Sequence, residues 1–204
     1  MRVFVPFDAR DPKTRLAPLL DEGERRTVAR AMLRDVLAAL REMSHDRCVL
    51  ATEPIDCDCA VRVDERPLTP AVNDALTSVD GPAAVVMADL ALATPAALGR
   101  LFDPDAGVTL APGRGGGTNA LVVRTEDFRV DYHGLSYRDH VTAAQDAGAD
   151  VATVDSFRLS NDIDDPSDLV DVLVHTDGHT ASALRDLDLS LALTDDGPAV
   201  TRSP

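Results

Sequence analysis

The chain has 204 residues, 45% hydrophobic and 27% charged, an ordinary globular composition that excludes disorder, a collagen-like repeat and a disulfide scaffold. Asp and Glu number 35 against 20 basic residues, and a net charge of −15 argues against nucleic acid or an anionic membrane as partner. No apolar run reaches the ~20 residues of a transmembrane helix. The chain opens on a strand-like pattern rather than a basic and then apolar leader, so a soluble cytoplasmic protein is expected.

Val3 to Phe7 reads as a first strand, followed by a polar loop from Asp8 to Pro12 and then Lys13-Thr14-Arg15-Leu16. Asp21 and Glu24 have capping-box spacing. The helix that follows, of about 20 residues, carries Val28, Met32, Val36 and Leu40 on one stripe, with Arg26, Arg30 and Arg34 on the other face. Cys48 to Ala51 is a short strand; residues 53–66 are acidic and irregular around a strand at Ala60–Val63; Pro70 to Val79 reads as a helix. Ala83 to Ala88 runs apolar into Asp89, the pattern of a strand buried on both faces. Thr94 caps a helix to Leu101, and Gly107–Ala111 is a strand. Pro112–Asn119 is a glycine-rich loop, left by a strand over Ala120–Val123. Ser136–Gly148 is helical, Val151–Val154 is a strand, and Asp165-Pro166 opens a helix through Val174. One further helix and a short strand are expected after Gly178. The alternation predicts one three-layer α/β/α domain over residues 1–204 around a mostly parallel sheet, with ligands beyond the carboxyl ends of its strands.

Four groups stand out. Gly113-Arg114-Gly115-Gly116-Gly117-Thr118-Asn119 could turn its amides onto a phosphate, with Thr118 as a hydroxyl donor, or form a plain hairpin. It is neither a Walker loop nor a dinucleotide fingerprint, because no Gly-Lys-Ser/Thr follows and a strand rather than a helix comes next. Asp89 at a strand end suits magnesium, or a helix cap. Asp162 and Asp164 share one side of an extended segment; in so acidic a chain a solvated pair is the alternative. Lys13 is the only lysine, and with Arg15 it suits a triphosphate, against a simple exposed pair. The cysteines, Cys48, Cys57 and Cys59, are odd in number and lack zinc-pair spacing, so core or loop positions are expected. No elbow or metalloprotease motif supports covalent catalysis, and the set suits metal-assisted nucleotidyl transfer.

Seven segments in order resemble the 2-phospho-L-lactate guanylyltransferase family: Lys13–Leu16, Met32–Leu37, Val72–Leu76, Met87–Leu90, Gly116–Leu121, Ser136–His140 and Asp162–Leu169. The resemblance implies a nucleotide-diphospho-sugar-transferase-like fold and transfer of GMP from GTP to a small phosphorylated acid in coenzyme F420 biosynthesis. The acid would be 2-phospholactate or, in relatives, phosphoenolpyruvate or 3-phosphoglycerate. It further implies Lys13 and Arg15 at the GTP phosphates and Asn73 near the nucleoside. Asp89 with Asp162 or Asp164 would hold Mg2+. Thr118, Ser136 and the neighbouring Gly116, Gly117, Asn119 and His133 would face the acid, in a homodimeric protein. His133 stands where the family has glycine, and Ala91 where it has proline. A nucleotidyltransferase for a sugar phosphate or molybdopterin, or a non-catalytic nucleotide binder, are the competing readings; the absence of glycine from Phe7 to Arg15 counts against the first.

Overall fold

The computed structural model describes residues 1–195 and 197–202. Strands β1 (Arg2–Phe7), β2 (Asp46–Ala51), β3 (Ala60–Val63), β4 (Ala83–Val86), β5 (Val108–Pro112), β6 (Thr118–Val123) and β7 (Val151–Thr153) form one sheet in the order β3-β2-β1-β4-β6-β5-β7. The helices are α1 (Glu22–Arg41), α2 (Leu68–Thr77), α3 (Pro95–Phe102), α4 (Ser136–Asp146), α5 (Phe157–Ser160), α6 (Asp168–His175) and α7 (His179–Asp186). A hairpin of β8 (Leu189–Thr194) and β9 (Gly197–Arg202) packs on α6 and α7. Among the described residues no helix is long and apolar enough to cross a membrane.

The two cores follow from strand alternation. Val3, Val5, Ala84, Val86, Ala120 and Val122 face one way, into a core shared with α1, α3, α6 and α7. Phe4, Ala83, Val85, Leu121 and Val123 face the other way, toward Val72 and Ala75 of α2 and Ala144 of α4. The α/β/α layering expected from the sequence is therefore present. The capping box at the start of α1 is also formed: Glu24 N donates to Asp21 Oδ1 at 2.9 Å and Asp21 N to Glu24 Oε2 at 2.9 Å.

Five details add to or depart from the sequence reading. Strand β6 runs antiparallel to both β4 and β5, because residues 113–117 are too few for the dozen-residue crossover a parallel pair needs. Helix α2 begins at Leu68 rather than Pro70, since a proline in the first turn removes only an amide that has no helical partner. Strand β4 ends at Val86, short of Ala88. The short helix α5 was not anticipated, and the tail holds two paired strands rather than one.

Asp35 joins two distant helices. It is buried within α1, and its carboxylate accepts from His179 N at 2.6 Å, Thr180 N at 2.9 Å and Thr180 Oγ1 at 2.6 Å. It thus serves as the N-terminal cap of α7, across 144 residues of sequence. Gly178 permits this approach, because a Cβ there would lie 2.5 Å from Asp35 Oδ1. Asp35→Ala strands those donors, and a loss of about 2–4 kcal/mol is expected in urea unfolding at molar salt.

Candidate active site

A cleft of about 710 Å3 opens over the carboxyl ends of β1, β2 and β4, a volume suited to a small ligand. Lys13, Arg15, Asp89 and Asp164 line it. Lys13 Nζ donates to Asp89 Oδ2 at 2.6 Å and to Asp164 Oδ1 at 2.9 Å, and its side chain is only 12% exposed. Arg15 pairs with Asp164 and, at 3.3 Å, with Asp165. Lys13 has a left-handed backbone, φ 56° and ψ 44°, a conformation that costs a non-glycine residue about 1–3 kcal/mol. Two arginines of α1 brace the loop that imposes it. Arg25 donates to Pro12 O at 3.4 Å and Asp11 Oδ1 at 2.9 Å, and Arg26 to Arg10 O at 2.9 Å. The sequence placed Arg26 on a solvent face and gave no sign of this bracing.

Burial would depress the Lys13 ammonium, but Asp89 and Asp164 outweigh it and hold its pKa above the ordinary lysine value. Burial likewise pushes the Asp164 carboxyl up, and Lys13 and Arg15 overcome it, leaving it below the usual carboxylate range. Although its charge is felt by Arg15, Asp162 makes no ion pair among the described residues. Burial raises it, its bond from Asn119 only partly offsets that, and the negative charges of Asp89 and Asp164 add to the rise. The backbone of this carboxylate segment is fixed by Asp168, whose Oδ2 accepts from Asp164 N at 3.0 Å and Asp165 N at 2.8 Å. Ile163 N donates to Asp89 O at 3.2 Å, which ties the segment to the end of β4.

The glycine-rich loop is a hairpin turn, and a bulge in it aims two side chains apart. Ala111 faces Ala120 but Pro112 faces Thr118, so Asn119 is the extra residue in β6. Asn119 therefore shares the face of Ala120 and donates from Nδ2 to Leu159 O and to Asp162 Oδ1, both at 3.0 Å. Thr118 lies on the opposite face, where its Oγ1 is 2.9 Å from His140 Nδ1. Gly113 must be glycine here, since a Cβ would sit 2.5 Å from Asn119 Oδ1. Gly116 has φ +88°, and a Cβ would meet Leu135 Cδ2 at 2.8 Å. Arg114 donates to Asp168 Oδ1 at 2.9 Å and binds the turn to the carboxylate segment.

Gly116 O accepts from Tyr137 N at 3.1 Å, which seats the turn on the start of α4. There Ser136 is 1% exposed and its Oγ has no hydrogen-bond partner. His133 is exposed, with Nε2 2.9 Å from Asp139 Oδ2, and its carbonyl accepts from Ser136 N at 3.1 Å. Lys13, Arg15, Asp89 and Asp164 are thus brought together in the cleft, Asn119 and Asp162 adjoin them through the carboxylate segment, and Gly116, Gly117, Thr118 and Ser136 lie toward α4 and do not line the cleft. Asn73 is not with them. Its carboxamide is taken up by Val130, accepting from its N–H at 2.9 Å and donating to its carbonyl at 2.8 Å. It does not line the cleft, and it fastens the loop before α4.

Two measurements check this geometry. Gly116→Ala forces a left-handed alanine against Leu135 and is expected to cost about 1–3 kcal/mol in urea unfolding. Because Asp164 is held below its unfolded value, it adds stability above the ordinary carboxylate range, and this is lost as pH falls through the folded value. Lys13→Met should therefore lower stability by about 2–4 kcal/mol near pH 7, and the gap to the unaltered protein should close as pH drops below about 4.

The family described as guanylyl transferase CofC like matches residues 1–202. A 2-phospho-L-lactate guanylyltransferase of Halomicrobium mukohataei is 57% identical over 202 residues, covering 99% of this chain and 100% of that one. The protein of the same name from Haloferax volcanii is 58% identical over 193 residues, 94% of each chain. Among solved structures, one described as a nucleotide-diphospho-sugar transferase from Desulfovibrio desulfuricans superposes with a TM-score of 0.74 at 16% identity, covering 92% of this chain and 94% of that one. A Methanothermobacter nucleotidyl transferase gives 0.60 at 14% identity, over 90% and 98%. These likenesses establish the fold, and with the sequence matches they place the chain in the CofC-like guanylyl transferase family.

Proposed function

We propose that this protein joins GMP from GTP to 2-phospho-L-lactate, giving lactyl-2-diphospho-5'-guanosine and diphosphate, a step of coenzyme F420 biosynthesis. The relatives bear the name of that activity. The observation that carries the reading is the Lys13 ammonium held 2.6 Å from Asp89 and 2.9 Å from Asp164 at the mouth of the cleft. A polyphosphate needs cations, and the only lysine of a strongly acidic chain stands at the strand ends beside Arg15.

In this reading a phosphate oxygen of the acceptor attacks the α-phosphorus of GTP. The new O–P bond forms as the bond to the β-phosphate oxygen breaks, and diphosphate leaves with that electron pair. No protein nucleophile is required; positioning and charge neutralisation carry the rate. Lys13 and Arg15 hold the phosphates. Thr118, Ser136, His133 and the amides of Gly116 and Gly117 receive the phosphorylated acid at the start of α4, while Asn119, on the opposite face of the strand, acts through its bond to Asp162. Asn73 acts at one remove, through the loop it fastens.

Magnesium fits this donor set. Asp89 Oδ1 is buried with no hydrogen-bond partner, an oxygen left over after Lys13 has taken Oδ2. Among the described residues no group of three His, Cys, Asp or Glu is placed to hold an ion, so the fit is to an open site of one or two carboxylates completed by substrate oxygens and water. Asp89, with Asp162 or Asp164, would hold the ion, which when bound supplies positive charge to the polyphosphate.

The test is diphosphate release from GTP in molar salt with 2-phospholactate, phosphoenolpyruvate or 3-phosphoglycerate as acceptor. Release is expected with 2-phospholactate, and Asp89→Asn should lower kcat by about 10²–10³-fold. An Asp89→Asn protein of unchanged rate removes Asp89 from the reaction. Turnover only with a sugar phosphate overturns the acceptor.

A further inference from the structure

His140 lies one helical turn after Ser136 on the same face of α4 and is 1% exposed. Its two ring nitrogens have different partners. Nε2 is 2.9 Å from the backbone N of Asp131, and Nδ1 is 2.9 Å from Thr118 Oγ1. A backbone N–H only donates, so Nε2 must present its lone pair. A neutral imidazole has a single N–H, and that proton must then sit on Nδ1. Burial, the largest influence on this ring, pushes its pKa down and keeps it neutral near pH 7.

The consequence falls on Thr118. With Nδ1 as donor, the Thr118 hydroxyl is the acceptor of that bond, and its own proton is left to be given elsewhere. Among the described residues nothing else accepts it. The neighbouring Ser136 hydroxyl is also buried and without a partner. Two hydroxyls, one on the β6 bulge and one on the first turn of α4, therefore have protons to offer on one side of the turn at Gly116.

We propose that His140 is a positioning residue: its Nδ1–H bond to Thr118, locked by the Asp131 amide at Nε2, makes the Thr118 hydroxyl a committed donor toward the anionic group of the acceptor. The inference rests on the reading above that Thr118 faces the acceptor. The same bond pattern secures the loop before α4, since three successive amides are each received by a side chain. Val130 N goes to Asn73, Asp131 N to His140 and Tyr132 N to Thr69, at 2.9 Å in each case. A merely structural His140 would account for the loop but not for acceptor affinity.

Two readouts separate these roles. In protein carrying 15N-labelled histidine, the His140 ring, assigned by its loss in His140→Phe, should show the Nδ1–H tautomer at about pH 8; an Nε2–H pattern for His140 overturns the proposal. In steady-state kinetics Thr118→Val should raise KM for the acceptor about tenfold and move KM for GTP less than about twofold. His140→Phe keeps a ring against Phe128 and Tyr132, whose centroids lie 6.0 and 5.2 Å away, and should raise KM for the acceptor about fivefold. The double variant should be no worse than Thr118→Val alone, and His140→Asn, which keeps a donor near the Nδ1 position, should restore most of the acceptor affinity. Additive effects, or equal rises in both KM values, overturn the proposal. If Thr118→Val affects acceptor KM and the His140 variants do not, the proposal fails and the reading of Thr118 stands. If Thr118→Val leaves acceptor KM unchanged, the reading itself fails and the proposal with it.

Discussion

An ammonium group shared by two carboxylates holds the rim of the cleft together. Lys13 reaches Asp89 across 76 residues and Asp164 across 151, so one side chain draws the ends of β1 and β4 and the segment before α6 to a common point. Each of these ions is costly to take from water alone, by several kcal/mol. Together they satisfy one another, and Asp89 Oδ1 is left buried without a partner among the described residues. The strained backbone at Lys13 is tolerated because the two ion pairs and the arginine brace from α1 fix that residue from both sides.

The net charge of −15 would make this an improbable place for a polyphosphate if charge acted at long range. In molar salt it does not, since screening acts within about 3 Å. What a bound anion meets is then the local set: Lys13 and Arg15, with Arg10 and Arg66 further round the cleft. The acidic surface and the cationic rim coexist because their effects are separated by a few ångströms of electrolyte. The cost is that these cations are already paired with carboxylates in the free protein. In the proposed reading, polyphosphate would compete with these carboxylates for Lys13 and Arg15.

How much of this was legible in the sequence depends on the range of the interaction. The capping box of α1, its apolar stripe and the doubly buried strand before Asp89 are local patterns, and each appears where periodicity placed it. The ordered motifs picked out Lys13, Asp89 and Asp164, which do converge. Roles set by pairing were not legible. A one-residue bulge decides that Thr118 and Asn119 point to opposite faces, and bulges follow from the partner strand. Asn73 has a side chain suited to a nucleoside, yet its carboxamide matches the backbone of Val130 and is consumed there. Asp35 looked like one more acid on a helix, until α7 arrived from far along the chain with donors to be met.

The bulge has a further consequence for how the two halves of the rim act together. Asn119 bonds Asp162 on the side of the carboxylate segment, while Thr118, the residue before it, bonds His140 on the α4 side. Adjacent positions of one strand thus carry the two halves, and the backbone between them has little room to move. Gly113 is pressed against the Asn119 carboxamide, Gly116 is held in a left-handed conformation against Leu135, and Arg114 is tied to Asp168. Asn119 and Thr118 are thus fixed relative to each other across a single peptide unit, with the Asp162 bond on one face of the strand and the His140 bond on the other.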